Sequence, residues 1–169
     1  MILAIDPGNV ESAYVIVEND LSRVIEKGKT LNPILLRALT VWAYKYGCSI
    51  DYFAIEGIQS YGMAVGKSVF ETCYFIGRLI ESGKRDLHIE PTLIYRMEEK
   101  MCLCHSVKAN DSNIRQALID RFGVVGTKKN PGFFYGFKKD IWSAMAVATT
   151  YHDKYLCCLL YTSPSPRDS

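Results

Sequence analysis

Short apolar runs separated by turn residues open the chain and predict three strands. The runs cover residues 1–6 (MILAID), 13–17 (AYVIV) and 24–30. Pro7-Gly8-Asn9, between the first two runs, has the composition of a tight turn. We therefore predict that the first two strands form an antiparallel hairpin and that the third follows them.

Longer segments with apolar residues at helical spacing come next. The first helix is predicted to begin at Asn32-Pro33, with Asn as the N-cap and Pro in the first helical position, and to end at Gly47. The same reasoning predicts helices over 65–82, 92–104, 112–122 and 140–155, and strands over 52–58 and 87–90.

The resulting order is three strands, a helix, a strand, a helix, a strand and further helices. This order predicts an α/β fold, in which a five-stranded mixed sheet is flanked by α-helices. No internal repeat interrupts the pattern, and we predict one domain spanning residues 1–157.

Composition agrees with a single globular domain. The chain has 169 residues, of which 49% are hydrophobic and 22% charged, an ordinary balance for a soluble protein. No apolar run approaches the roughly 18 residues of a membrane span, and the start lacks the basic and long apolar regions of a signal peptide. We predict a cytoplasmic protein, in the bacterial host cell if a phage encodes it.

The last residues differ in composition from the domain. One back-translation of residues 158–168 (CLLYTSPSPRD) resembles a transposase adapter used in sequencing libraries. We interpret 158–169 as a translated adapter and expect this tail to be disordered; a genuine Ser/Pro-rich tail is the alternative.

Three acids occupy positions in apolar segments, where burial of a carboxylate is energetically costly. Asp6 ends an apolar strand, Glu56 lies inside one, and Asp140 opens an apolar helix. Singly they have ordinary explanations, namely a turn, an exposed strand end and a helix N-cap. Together they favour a site for Mg²⁺ or Mn²⁺, because buried acids need a cation or another partner. Two such ions, roughly 3.5–4 Å apart, drive phosphodiester hydrolysis in known nucleases.

Basic residues cluster in one stretch although the net charge is only +2. Residues 121–139 contain five basic residues and no acid, and aromatic residues 133–135 and 137 lie among them. This mixture favours a nucleic-acid surface over a solvated loop. The candidate phosphate ligands are lysines: Lys67, Lys100, Lys108, Lys128, Lys129, Lys138 and Lys139.

Four segments resemble the RuvC family of Holliday-junction resolvases, particularly its phage-type members. ILAIDPG with YVIV resembles the first hairpin, FAIEGI the strand with the catalytic Glu, and SYGMAVGKSVFETCYFIGR the phage-type helix that follows. KKDIWSAMAVA resembles the last helix, and the similarity runs over about residues 1–155.

The resemblance implies an RNase H-like fold and a homodimer that cuts branched DNA with Mg²⁺ or Mn²⁺. It implies that Asp6, Glu56 and Asp140 are catalytic metal ligands. The family usually presents a second acid one turn into the last helix, where this chain has Ser143. The fourth ligand is then water, Ser143 or another acid, with Glu71 as a candidate.

Three other functions remain open at this point. Because of Ser143, the protein could bind DNA junctions without cutting them. A nucleotide-binding phosphotransferase of the actin-like group shares the core topology, but the chain is too short for its duplicated domains. An RNase H that acts on RNA–DNA hybrids would differ only in substrate shape.

Overall fold

The computed structural model describes residues 1–60, 62 and 64–157, so the interpretation of the tail at 158–169 lies outside the described residues. The strands are β1 (Ile2–Asp6), β2 (Glu11–Val17), β3 (Val24–Leu31), β4 (Tyr52–Gly57) and β5 (Thr92–Tyr95). The α-helices are α1 (Asn32–Tyr46), α2 (Lys67–Ser82), α3 (Arg96–Cys104), α4 (Asp111–Phe122) and α5 (Ile141–Tyr151). None of the helices in this described part is long and apolar enough to cross a membrane.

The strands form one mixed sheet in the order β3-β2-β1-β4-β5. β1, β2 and β3 pair antiparallel, whereas β4 and β5 run parallel to β1. The predicted five-stranded mixed sheet is therefore confirmed. Because β1, β4 and β5 are parallel, their carboxyl ends lie at the same edge of the sheet.

Helices cover both faces of the sheet, and alternate strand residues point to each face. Ile2, Ala4 and Ala54 pack on the face covered by α4 and α5. Leu3 and Ile55 pack on the opposite face, covered by α1 and α2. α5 is buried along nearly its whole length, which explains why its sequence is apolar rather than amphipathic.

The predicted strand at 87–90 is wrong. Residues Gly83–Leu87 continue α2 as a π-helical turn, and the fifth strand is Thr92–Tyr95, which the sequence pattern had placed in a helix. Thr92–Tyr95 forms a strand rather than a helix because its backbone pairs with β4. The Glu98 carboxylate then accepts a hydrogen bond from the Tyr95 backbone N–H at 2.7 Å and caps α3, so that this helix begins only at Arg96.

Asn32 does not cap α1 as predicted, because it is the first residue of the helix and its side chain is buried. Its Oδ1 accepts a hydrogen bond from Ser12 Oγ at 2.7 Å, and its Nδ2 donates to the Gly8 carbonyl at 2.9 Å. The Gly8 N–H in turn donates to Ser12 Oγ at 3.1 Å. This network braces the turn that directly follows Asp6.

The aromatic residues at 133–137 are mostly core rather than DNA-facing surface. Phe134 is fully buried and Phe137 nearly so. Phe134 packs against Trp142 with ring centroids 4.6 Å apart, and Phe133 stacks on Phe122 at 5.0 Å. The loop packs over α4 and α5 and covers this face of the sheet. The prediction that its aromatic rings form a DNA surface is therefore wrong for these phenylalanines.

Candidate metal centre

Asp6 and Glu56 come together because their strands are neighbours. Ile5 of β1 lies opposite Ile55 of β4, and each acid is the next residue along its strand. The two carboxyl groups therefore lie at adjacent positions on neighbouring strands, and each affects the pKa of the other. The mixed sheet therefore places two of the three predicted acids side by side at its edge.

These two carboxyl groups are poorly compensated by the protein. Burial, followed by repulsion from Glu56, raises the pKa of Asp6 to about 9, and the charges of Asp140 and Glu99 add to this effect. Burial also raises the pKa of Glu56, although its hydrogen bond to Asp6 and the positive charge of Arg96 act in the opposite direction. Such a pair either shares a proton or binds a cation.

Asp140 joins the pair from the residue that precedes α5. Its side chain makes no N-cap hydrogen bond. Instead its Oδ2 lies 2.6 Å from Lys29 Nζ, which also lies 3.5 Å from a Glu11 oxygen. Lys139 has a left-handed backbone with φ of 38°, a conformation that costs a non-glycine residue energy. The structure thus places all three predicted acids at one edge of the sheet, where the charge of Asp140 acts on Asp6.

The two candidates for a fourth position have different surroundings. Ser143, one turn after Asp140, is partly exposed and lines a groove beside that acid. Glu71 accepts a hydrogen bond from Asn9 Nδ2 at 3.2 Å and pairs with Lys67 at 3.5 Å. These contacts direct Glu71 to the loop after β1 and to its own helix.

Asp153 follows α5, and its contacts lie with α4 and with its neighbour His152. Its carboxylate forms a two-pronged pair with Arg121, with N–O distances of 2.5 and 2.8 Å. His152 Nδ1 lies 2.9 Å from the same group. These contacts tie Asp153 to α4.

Glu99 is a further buried acid whose charge acts on Glu56 and Asp6, and the sequence pattern did not reveal it. It lies in the first turn of α3 and is fully buried, with Oε2 accepting a hydrogen bond from Arg96 Nη1 at 2.5 Å. Burial and repulsion from Glu56 raise the pKa of Glu99 to about 8. In the sequence, RMEEK resembles a solvated helix face, and only the correct start of α3 places Glu99 beside the strand ends.

A groove of about 660 Å³ adjoins Asp140 and carries four basic side chains. Two of the seven predicted lysines, Lys138 and Lys139, line it together with Arg96 and Arg115. Arg96 also pairs with Asp111 at the groove wall. The other five predicted lysines lie outside the groove: Lys67, Lys100, Lys108, Lys128 and Lys129.

Comparison with known proteins identifies the fold. No family model and no curated protein matches the chain. The solved structure of T. thermophilus RuvC in complex with a Holliday junction substrate is similar, with a TM-score of 0.66 and 12% identity over 89% of this chain and 90% of that one. The chain has the RuvC fold. A second Thermus thermophilus RuvC structure has a TM-score of 0.64 and 14% identity, over 89% and 92% of the two chains. The predicted RNase H-like α/β fold is confirmed, and at this identity the likeness concerns the fold alone.

Proposed function

We propose that this protein is a divalent-metal-dependent endodeoxyribonuclease that cuts branched DNA such as a four-way junction. The observation that carries the proposal is the convergence of Asp6, Glu56 and Asp140 at one sheet edge, where the first two are partly buried and repel each other, and where Arg96 only partly offsets the charge of Glu56. The RuvC structure with the same fold holds a Holliday junction substrate, which favours branched DNA as the substrate class.

The chemistry of the residues present suits a divalent ion. Carboxylate oxygens are the ligands that Mg²⁺ and Mn²⁺ prefer, and a cation would relieve the repulsion between Asp6 and Glu56. We assign Asp6, Glu56 and Asp140 as its ligands. A bound ion supplies an activated water and neutralises the oxygen that leaves during phosphodiester hydrolysis.

The remaining residues position these ligands. The Asn32 network fixes the turn after Asp6, and Lys29 holds the Asp140 carboxylate by an ion pair. These contacts hold the turn after Asp6 and the Asp140 carboxylate in place without an ion, and a cation bound there would displace the proton that burial and Glu56 keep on Asp6. Such preorganisation lowers the reorganisation needed during the reaction.

The basic groove beside Asp140 is assigned to the DNA backbone, because phosphate contacts dominate the affinity of most nucleic-acid-binding proteins. Replacing Lys138 and Lys139 by Gln is expected to lower the salt dependence of junction binding by about two in the slope of log K against log[salt], one for each phosphate contact. Filter binding over a salt series measures the slope.

Replacing Lys128 and Lys129 by Gln is the matched control, because both residues are exposed lysines of the same loop that lie outside the groove. We expect this control to change the slope less. Equal changes in the two double variants would show that binding follows total charge, and would contradict the assignment of the groove.

We also propose a twofold homodimer, because two symmetric cuts in a four-way junction need two active sites. α2 presents Phe70, 49% exposed, and Tyr74, 71% exposed, although its other face packs in the core. Replacing both residues by Ser is expected to convert a dimer into a monomer, as measured by light scattering. A monomeric wild-type protein would contradict the proposal, and an unchanged mass for the variant would exclude this face of α2 as the interface.

A second candidate function is junction binding without cleavage, and Ser143 at the place of an expected acid favours it. A panel of four-way junction, flap, linear duplex and RNA–DNA hybrid, each with Mg²⁺ and with Mn²⁺, separates the candidates. The nuclease proposal predicts selective nicking of the junction. Cleavage of the hybrid alone would indicate an RNase H, and binding with no cleavage would support the second candidate.

A further inference from the structure

Among the described residues, Glu99 is the only one with a charged side chain that is fully buried. Burying a carboxylate is costly unless hydrogen bonds or counter-charges satisfy both of its oxygens. The position of Glu99 in the first turn of a short amphipathic helix does not itself require an acid. Another feature of the molecule must therefore account for it.

Only one oxygen of this carboxylate has a partner. Oε2 accepts the hydrogen bond from Arg96, whereas Oε1 is buried and has no hydrogen-bond partner among the described residues. Arg96 is also engaged by Asp111, so its positive charge is shared. A buried oxygen with an unused lone pair is a ligand position, because native proteins rarely leave such groups unsatisfied.

The fold brings the start of α3 to the sheet edge that carries the acids of the metal centre. Ile94 of β5 pairs with Glu56 of β4, and α3 begins one residue after β5 ends. Glu99 and Glu56 repel each other, and Glu99 also acts on Asp6. Glu99 therefore belongs to the same charged group, which it enters from a helix that no other acid of the group occupies.

We propose that Glu99 supplies the fourth carboxylate of the metal site through Oε1 and takes over the role of the acid that is absent at position 143. This inference rests on the proposed function, since it assumes that Asp6, Glu56 and Asp140 hold a divalent ion. Arg96 keeps Oε2 in place and leaves Oε1 to the ion. The centre is then built from the ends of β1 and β4, the first turn of α3 and the start of α5.

Calorimetric titration with Mn²⁺ alone, without DNA, tests the proposal on the full chain. Glu99→Gln is expected to weaken Mn²⁺ binding by about 10- to 100-fold, the range seen when groups that support a metal site are removed. Adding Ser143→Asp to Glu99→Gln is expected to recover most of the lost affinity. Glu90→Gln is the matched control, because Glu90 is a surface acid paired with Lys84, and it should bind as the wild type does.

Several results would overturn the inference. Wild-type affinity in Glu99→Gln would do so, as would weaker binding in Glu71→Gln instead. Failure of Ser143→Asp to recover affinity would contradict the exchange of roles between the two positions. If circular dichroism shows that Glu99→Gln does not fold, Glu99→Asp is titrated in its place. A weaker affinity is then expected, because the shorter carboxylate withdraws from the ion, and an unchanged affinity would overturn the proposal.

The failure of this inference can be distinguished from failure of the proposed function. If wild type binds Mn²⁺ and Asp6→Asn does not, the proposed metal site is supported. The titrations of the Glu99 variants then test the role of Glu99 alone. If neither wild type nor Asp6→Asn binds Mn²⁺, the metal-dependent function itself fails, and the assignment of Glu99 fails with it.

Discussion

Replacing Asp6 by Asn is expected to lower the rate of four-way-junction cleavage by at least about 10³-fold, equivalent to roughly 4 kcal/mol of transition-state stabilisation. Asn keeps the size of the side chain but removes the negative charge that a divalent ion needs. The turn after β1 should persist, because its network involves Gly8, Ser12 and Asn32 and not the Asp6 carboxylate. Single-turnover cleavage of a labelled junction measures the rate.

Junction binding provides the necessary comparison for this variant. The basic groove does not include Asp6, and so Asp6→Asn should bind a junction about as tightly as the wild type. Asp20→Asn, in the loop between β2 and β3, is the matched control and should cleave normally. Cleavage by Asp6→Asn at a rate near that of the wild type would show that Asp6 does not carry the reaction.

We expect the metal-free protein to lose stability as the pH rises, and divalent ions to restore it. The pKa of Asp6 is about 9 in the folded protein, compared with an ordinary value of 3.8, and the pKa of Glu99 is about 8, compared with 4.5. At pH values between the ordinary pKa and the raised pKa of each group, the folded state holds a proton that the unfolded state has released. The free energy of unfolding therefore falls with increasing pH over this window, and the loss due to Asp6 is complete above about pH 9.

Thermal unfolding with and without Mg²⁺ measures this linkage. The increase in melting temperature caused by the ion should be larger near about pH 8.5 than near about pH 5.5, because at the lower pH protons compete with the ion. A difference of a few kcal/mol corresponds to several degrees in a domain of this size, at roughly 2–4 °C per kcal/mol. Asp6→Asn should reduce both the pH dependence and the effect of Mg²⁺. An effect of Mg²⁺ that is equal at both pH values, or unchanged in Asp6→Asn, would contradict the account.

The sequence predicts Asp6 and Glu56 as candidate metal ligands for a clear physical reason. An acid within or at the end of an apolar strand conflicts with its surroundings, and that conflict is visible without a structure. Asp140 is predicted as a ligand from its place before an apolar helix, and in the structure its side chain pairs with Lys29 instead of acting as an N-cap. The strand order then brings these positions together.

Glu99 and the basic groove could not be found in the same way. Glu99 lies in a charged segment typical of a helix surface, and its burial depends on where β5 ends and α3 begins. Arg96, Arg115 and Lys138 meet in the groove although they are far apart in the sequence. The composition of 133–137 predicted a nucleic-acid surface. The phenylalanines, which lie among lysines in the sequence, instead pack inward against Trp142 and Phe122. In each case the position of the side chain depends on tertiary packing, which the local sequence pattern does not predict.

The most direct test of the proposed function is cleavage of a four-way junction by the wild-type protein as the Mn²⁺ concentration is raised from zero in the presence of a chelator. We predict no product without the ion, and paired nicks at the branch point that saturate as the site fills. A junction that stays bound but uncut at saturating Mn²⁺ would contradict the assignment and would identify the protein as a junction binder.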